Sequence, residues 1–423
     1  MSGLVLLVFV LAYVFFVLLP RHRAWVAVLG AGVLVLGGAT SWHQALFEYI
    51  NWNVIGLFFG TLVLAELFMQ SRMPAVMAEA LTRRTRTVWG AMIGLCLLSS
   101  FLSMFLENVA VVLLVAPVAI SLAERANAPL DRLLILIAIS SNLQGTATLI
   151  GDPPSMILAG HLRMSFNDFF VYHGRPGIFF AVQAGAIASL LVAGWLLRRH
   201  QVPAPQAPVE NARSLTPTYF LAVLVVGLSI ASVFDPDFEW FAGVWTMTLA
   251  GAALIWQRAV PRWSRTRDLI RILDWDTTFF LMGVFVLVGA LGDAGWLEQL
   301  AHLLEPWTAR GRLVAFTVLI GLAVLVSGFV DNVPFLLTMI PVTVKLAARA
   351  NAPAELLLFG LLIGSCLGGN LTPIGASANV VAVGLLRKHG NPVRFGTFLR
   401  VSVPFTIASM LAASAVLWIF WAR

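Results

Sequence analysis

The stretch SNLQGTATLIGDPPSMI, Ser141 to Ile157, lies in a strongly apolar part of the chain, yet it holds glycine, two threonines, an aspartate and a pair of prolines. Inside a bilayer no water is present to satisfy a broken helix. Irregular backbone at that depth is tolerated only where it is buried in protein or lines a wet cavity. The stretch therefore predicts an unwound segment between two half-helices, with Asp152 capping the second and Pro153 at its first position. Further along, GGNLTPIGASAN, Gly368 to Asn379, repeats the pattern, with Ser377 in the capping place.

The two breaks belong to a longer duplication. RANAP occurs at Arg125–Pro129 and again at Arg349–Pro353, an offset of 224 residues. The same offset pairs Glu107-Asn108 with Asp331-Asn332, Pro117 with Pro341, Gly145 with Gly369, Thr148 with Thr372 and Gly151 with Gly375. One residue off that register, NWN at 51–53 matches DWD at 274–276. Matches held at one spacing over such a length mark an internal repeat.

Composition sets the surroundings. Of 423 residues, 60% are hydrophobic and 11% charged, against roughly a quarter charged in a soluble domain. This is an integral membrane chain with no separate soluble domain. Apolar runs of spanning length fall near 3–20, 24–41, 52–70, 132–160, 176–197, 216–234, 240–257, 275–295, 356–386 and 401–421. The regions 88–123 and 313–348 are each split by an acid-Asn pair and read as re-entrant hairpins. The expectation is an all-α polytopic protein of about ten transmembrane helices, two hairpins and two broken helices. Its first repeat is 1–200 (hairpin 88–123, broken helix 132–160), its cytoplasmic linker 201–215, and its second repeat 216–423 (hairpin 313–348, broken helix 356–386). Five spans and one hairpin per half make the repeats inverted. Substrate and coupling ions are then expected near the midplane, where the helices break.

The basic residues agree with that path. Arg21, Arg23, Arg72, Arg83, Arg84, Arg86, Arg198, Arg199, Arg213, Arg258, Arg262, Arg265, Arg267, Arg271, Arg387 and Lys388 collect on one face, and the acidic loop Asp235, Asp237 and Glu239 lies on the other. The Arg-rich face reads as cytoplasmic, with both termini outside a bacterial-type inner (plasma) membrane. The net charge of +7 thus reports orientation, and nucleic acid is not expected as a partner. The first apolar run has its positive charge after it, the reverse of a cleaved signal peptide, so it reads as an uncleaved span. Cys96 and Cys366 lie in apolar stretches and imply no disulfide framework, metal cluster or cofactor.

A carboxylate at mid-depth costs several kcal/mol unless paired, hydrated or protonated, and marks a functional site by default. Glu107 and Asp331 at the hairpin tips meet that description, each with its neighbour Asn108 or Asn332. An acid bonded to backbone as a plug would be the plainer reading. For Asp152 the plainer reading is a helix cap, and Glu66 in the third span is either a proton carrier or a snorkelling acid. Thr146, Thr148, Thr372 and Asn370 are expected to face the cavity. No intramembrane Lys or Arg stands out beside these acids, so the site is expected to attract cations or exchange protons. Sodium, were it the coupling ion, would sit at Asn108, Asp331 and Asn332.

The segments ENVAVVLLVAPV, GTATLIGDPPS, VDNVPFLLTMIPV and GGNLTPIGASANVVAVG resemble the ion transporter superfamily with the citrate-transporter-like domain. It includes arsenite pump membrane proteins, the P-protein group, D-type sodium/proton antiporters and dicarboxylate/sodium symporters. The resemblance spans nearly the whole chain. It implies a hairpin tip and an unwound helix per repeat holding ions and substrate. On this sequence that points to Asn108 and Asn332, to Thr146, Thr148, Gly151 and Asp152, and to Asn370, Thr372 and Gly375. The tips here are Glu-Asn-Val and Asp-Asn-Val, where the dicarboxylate branch has Ser-Asn-Thr. NLTPIG resembles the arsenite pump pattern, and VDNVPF and GASANVV resemble the P-protein group.

The leading expectation is therefore a proton-coupled secondary transporter exporting arsenite or antimonite. Sodium/proton antiport is the alternative, and cation-coupled citrate or dicarboxylate transport a third. A channel would need no matched pair of gates. An enzyme is not expected, since the sequence holds no HExxH, GxSxG or P-loop. Partners are a small inorganic ion or oxyacid, protons or sodium, membrane lipid, and a second copy in a homodimer.

Overall fold

The computed structural model describes residues 1–204, 211–260, 263, 266–308 and 310–422. Arg262, Arg265 and the middle of the 201–215 linker lie outside the described residues. The first half runs α1 (Ser2–Leu18), α2 (Arg23–Leu36), α3 (Trp52–Gln70), α4 (Met73–Arg84), α5 (Val88–Ser103), α6 (Asn108–Ala126), α7 (Leu130–Gln144), α8 (Pro153–Leu162) and α9 (Ile178–Leu197). The second runs α10 (Thr216–Phe234), α11 (Phe241–Ala259), α12 (Thr266–Ile272), α13 (Trp275–Asp293), α14 (Trp296–Thr308), α15 (Arg312–Ser327), α16 (Asn332–Arg349), α17 (Ala354–Gly368), α18 (Ser377–Lys388) and α19 (Phe395–Trp421). Outside the helices, a small antiparallel pair joins Val171–Tyr172 to Arg175–Pro176, and Thr87 bridges Pro203.

The repeated words in the sequence are helix punctuation. In each RANAP the asparagine takes a left-handed conformation (Asn127 φ 47°, Asn351 φ 48°), which Asn tolerates better than most residues. The next amide reaches back to satisfy the helix end, Ala128 N to Ala123 O and Ala352 N to Ala347 O, both 3.0 Å. The proline after it starts the next helix. NWN and DWD are N-caps: Asn51 accepts from Val54 N (3.0 Å) and Asp274 from Thr277 N (2.9 Å).

Among the described residues, seven helices are long and apolar enough to cross a membrane, and α1 with Pro20–Leu36, which meet at 118°, make an eighth if counted as one bent span. The ten expected spans differ because 3–20 and 24–41 form the bent pair α1–α2, 132–160 is split into α7 and α8, and α11 over 240–257 is not among the seven, whereas α6, an expected hairpin arm, is. Helix α6 alone is long enough to cross, so length does not separate a hairpin arm from a span. Helices α4 and α14 were not expected. They are short, carry polar faces, and follow α3 and α13 at matching places.

Packing exchanges elements between halves. Helix α11 lies along α3, while α2 lies along α13; α18 packs on α6 and α7, while α8 packs on α16 and α17; α9 and α19 lie against each other. Helix α17 is buried on all sides, whereas α10 and α19 turn apolar residues such as Val226, Ile230, Leu411 and Ile419 outward, the arrangement of an integral membrane protein. The first break is buried throughout, whereas the second turn and break reach the surface at Phe329 and Ile374.

Candidate functional site

Each break is tied to its hairpin by the same two hydroxyls. Ser103 Oγ donates to Ser141 O (2.9 Å), and its equivalent Ser327 Oγ donates to Ser365 O (2.5 Å). Thr148 Oγ1 donates to Met104 O, and Thr372 Oγ1 to Gly328 O (2.5 Å). Thr148 and Thr372 thus close the break onto the hairpin and do not point freely into a cavity. Thr146 Oγ1 donates back to Leu143 O (2.5 Å) within its own turn.

Gly151 and Gly375 are required by close backbone approach. A Cβ on Gly375 would stand 2.7 Å from Gly369 O and 2.9 Å from Gly328 O, and one on Gly151 would stand 2.7 Å from Ser103 O. Gly375→Ala should therefore cost about 1–3 kcal/mol or more and remove transport. Gly384→Ala, in α18 with nothing within 4 Å, should leave the melting temperature unchanged or slightly raised. Thermal melts of the two variants check this.

Both tip acids are helix N-caps. Glu107 accepts from Ala110 N (3.2 Å) and Asp331 from Val333 N (3.0 Å). Asp152 also occupies an N-cap, but its carboxylate does not cap, because Pro153 and Pro154 follow and Pro154 has no N–H at the usual second position. It interacts instead with the Asn108 amide. Ser377 is not the cap of α18: Ala376 holds that place, and Ser377 is the exposed first helical residue. Asp152 therefore has no acidic counterpart in the second break.

Glu107, Gly151 and Asp152 line one cavity with Phe58, Thr61 and Pro153. Its volume is about 10 Å³, about the room one water needs. Glu107 and Asp331 both act electrostatically on Asp152, so the two tips share one field. Asn108 takes its place among Ser103, Ser141 and Gly145. Asn332 donates to Cys366 Sγ at 3.9 Å. Asn108 and Asn332 thus stand at separate tips with separate partners. Glu66 is bonded to Gln70 (2.9 Å) one turn on.

Two features escaped sequence reading. The first corrects the expected absence of a cation. Arg23 Nη1 meets Asp331 Oδ2 at 2.6 Å, Nε meets Asp276 Oδ2 at 3.2 Å, and Nη2 donates to Thr277 Oγ1 at 2.9 Å. In the sequence Arg23 reads as a loop charge; its partner lies 308 residues away, beyond any local pattern. The second is an asparagine junction between the halves. Asn142 Nδ2 donates to Asn370 Oδ1 (2.8 Å) and Asn379 Oδ1 (3.1 Å); Asn370 Nδ2 donates to Ile139 O (3.2 Å), and Asn379 Nδ2 to Gly369 O (2.9 Å) and Thr372 O (3.0 Å). Asn370 is wholly buried in this junction. Away from the site, Lys345 and Arg349 at the far end of α16 pair with Glu298 and Glu305 of α14, and the Lys345 hydrogen bond holds the Glu298 carboxyl below its usual range.

Paired helical hairpins, paired broken helices and carboxylates in the apolar interior at their junction are the architecture of a secondary transporter. The chain belongs to the citrate transporter family CitMHS, matching it over residues 13–364 and 319–423. It is 30% identical over 431 residues to an uncharacterized transporter of Mycobacterium tuberculosis, covering 99% of each chain. It is 28% identical over 479 residues to the Homo sapiens P protein, covering 92% of this chain and 56% of that one. Among solved structures, the YdaH transporter of Alcanivorax borkumensis matches with a TM-score of 0.61 at 13% identity, covering 91% of this chain and 87% of that one. MtrF of Neisseria gonorrhoeae matches at 0.56 and 12%, covering 92% and 84%. At those identities the likeness is one of fold.

Proposed function

We propose that the protein is a proton-coupled secondary transporter whose leading cargo is arsenite or antimonite, carried outward across a bacterial-type plasma membrane. The observation that carries the reading is the joint placement of Glu107 and Asp152 on one buried, water-sized cavity, within the field of Asp331. Carboxylates held out of bulk water in this way suit proton exchange. Arsenite is an uncharged trihydroxide at neutral pH, so the carboxylates would not repel it, and the one-water cavity would widen to admit it when the hairpin and break separate. In this reading the halves 1–200 and 216–423 are inverted repeats, both termini lie outside, and alternate opening of the two hairpin–break pairs gives access from each side.

Sodium/proton antiport is the second reading, favoured by a cavity with room for one water-sized species, such as a dehydrated sodium ion, and lined by two carboxylates. Citrate or another carboxylate is favoured by the family's name and by the guanidinium of Arg23 at the second tip.

Everted membrane vesicles from cells making the protein test the choice. Under an imposed proton gradient, antimonite accumulation above that of control vesicles supports the leading reading. Accumulation of sodium or citrate with none of antimonite replaces it.

A further inference from the structure

Equivalent places in the two halves carry unlike residues, and in the second half the result is an ionic clasp on the hairpin tip. In the first half, at the place equivalent to Asp276, Asn53 donates to Phe238 O (2.8 Å) and accepts from Gly243 N (2.6 Å) at the start of α11. That brace is neutral. Around the second tip, the equivalent residue is Asp276, and the chain it meets is the start of α2, where Arg23 stands. The guanidinium spans Asp276 on α13 and Asp331 on α16, donates to Thr277, and lies 5.0 Å from the Phe280 ring centroid. Asp274 adds a third carboxylate to its field, and Glu107 feels both Asp274 and Arg23. Tyr13 of α1 completes the grip, donating to Pro334 O (2.5 Å) and meeting Thr338 Oγ1 (2.7 Å) in the first turns of α16.

One guanidinium therefore joins three helices and occupies the face of Asp331 that a coupling cation would use. We infer that Arg23 is a tethered cation that closes the second hairpin tip and competes with the coupling proton or monovalent cation for Asp331. The inference rests on the reading of Asp331 as a coupling carboxylate. Arg suits the part: its planar fork reaches two carboxylates at once and stays charged, whereas Lys offers a single point charge. When a proton or monovalent cation takes Asp331, Arg23 keeps Asp276 and Thr277, and only the tip is released. Asn53, at the equivalent place in the first half, makes neutral bonds to α11 and the loop before it, so the ionic clasp belongs to the second tip.

The test uses full-length protein in lipid nanodiscs and liposomes, with Arg23→Gln, Arg23→Lys and Asp276→Asn. Hydrogen exchange of the segment 328–336 should quicken about tenfold in Arg23→Gln, while the segment 104–112 at the first tip stays as in the wild type. The proton or sodium concentration that half-saturates flux should fall about tenfold, because the clasped fraction no longer reduces the competent population. Arg23→Lys should recover part of both effects. Should Arg23→Gln fail to fold, Asp276→Asn, which removes one strut, should shift both in the same direction by less. Unchanged exchange at 328–336 and unchanged half-saturation, with Asp331→Asn still uncoupling the protein, would reduce Arg23 to a structural ion pair. Coupling that survives in Asp331→Asn would instead overturn the reading on which the inference rests.

Discussion

Asp331→Asn is expected to reduce solute-driven proton movement to the level of protein-free liposomes while leaving a folded, monodisperse protein. Folding should survive for two reasons. Asparagine is as good an N-cap as aspartate, so the bond to Val333 N can be kept. Arg23 also retains Asp276 at 3.2 Å and Thr277 at 2.9 Å, so no bare guanidinium is left buried. What is lost is a carboxylate that can bind and release a proton or cation. Glu107→Gln should behave alike, since its amide oxygen can still accept from Ala110 N. Size-exclusion profiles separate loss of coupling from loss of fold, and normal proton movement in both variants would remove the tips from the mechanism.

Asn142→Ala is expected to give the largest loss of stability outside the apolar core. The residue is 3% exposed and supplies the donor that joins the first broken helix to the second. Its removal leaves Asn370 Oδ1 and Asn379 Oδ1 short of a partner where little water can enter, at about 1–3 kcal/mol for each group left unsatisfied. The melting temperature should fall by several degrees, and transport should fall with it, because the junction holds the two breaks together. Asn142→Cys, which places there the residue found at the equivalent position 366, should recover little, since a thiol is a weak donor. A melting temperature equal to the wild type would show that the amide bonds across the halves are not needed to join them.

The helix breaks and the turns before α6 and α16 could be read from the chain because their signals are local. Gly145, Gly151, Pro153 and the RANAP asparagines each dictate backbone within a few residues. The acids at 107 and 331 could be found because a carboxylate in an apolar run is costly. Their partners could not. Arg23 lies in a short basic loop of the kind that reports orientation, and nothing near it in sequence names Asp331. The Asn142 junction forms between residues more than 200 positions apart. The threonines were assigned to the cavity on chemistry alone, and the nearby hairpin carbonyls take their hydroxyls first. Ser377 was assigned as a cap by analogy with Asp152, but the helix begins one residue earlier than that analogy requires.

Purified protein in liposomes with a trapped pH dye tests the central claim most directly. A solute challenge with arsenite, sodium and citrate in turn should move protons with one of them, arsenite first in expectation, and Asp331→Asn should abolish that movement. Proton movement with none of the three, or movement that persists in both Glu107→Gln and Asp331→Asn, would contradict a proton-coupled site built from the two hairpin tips.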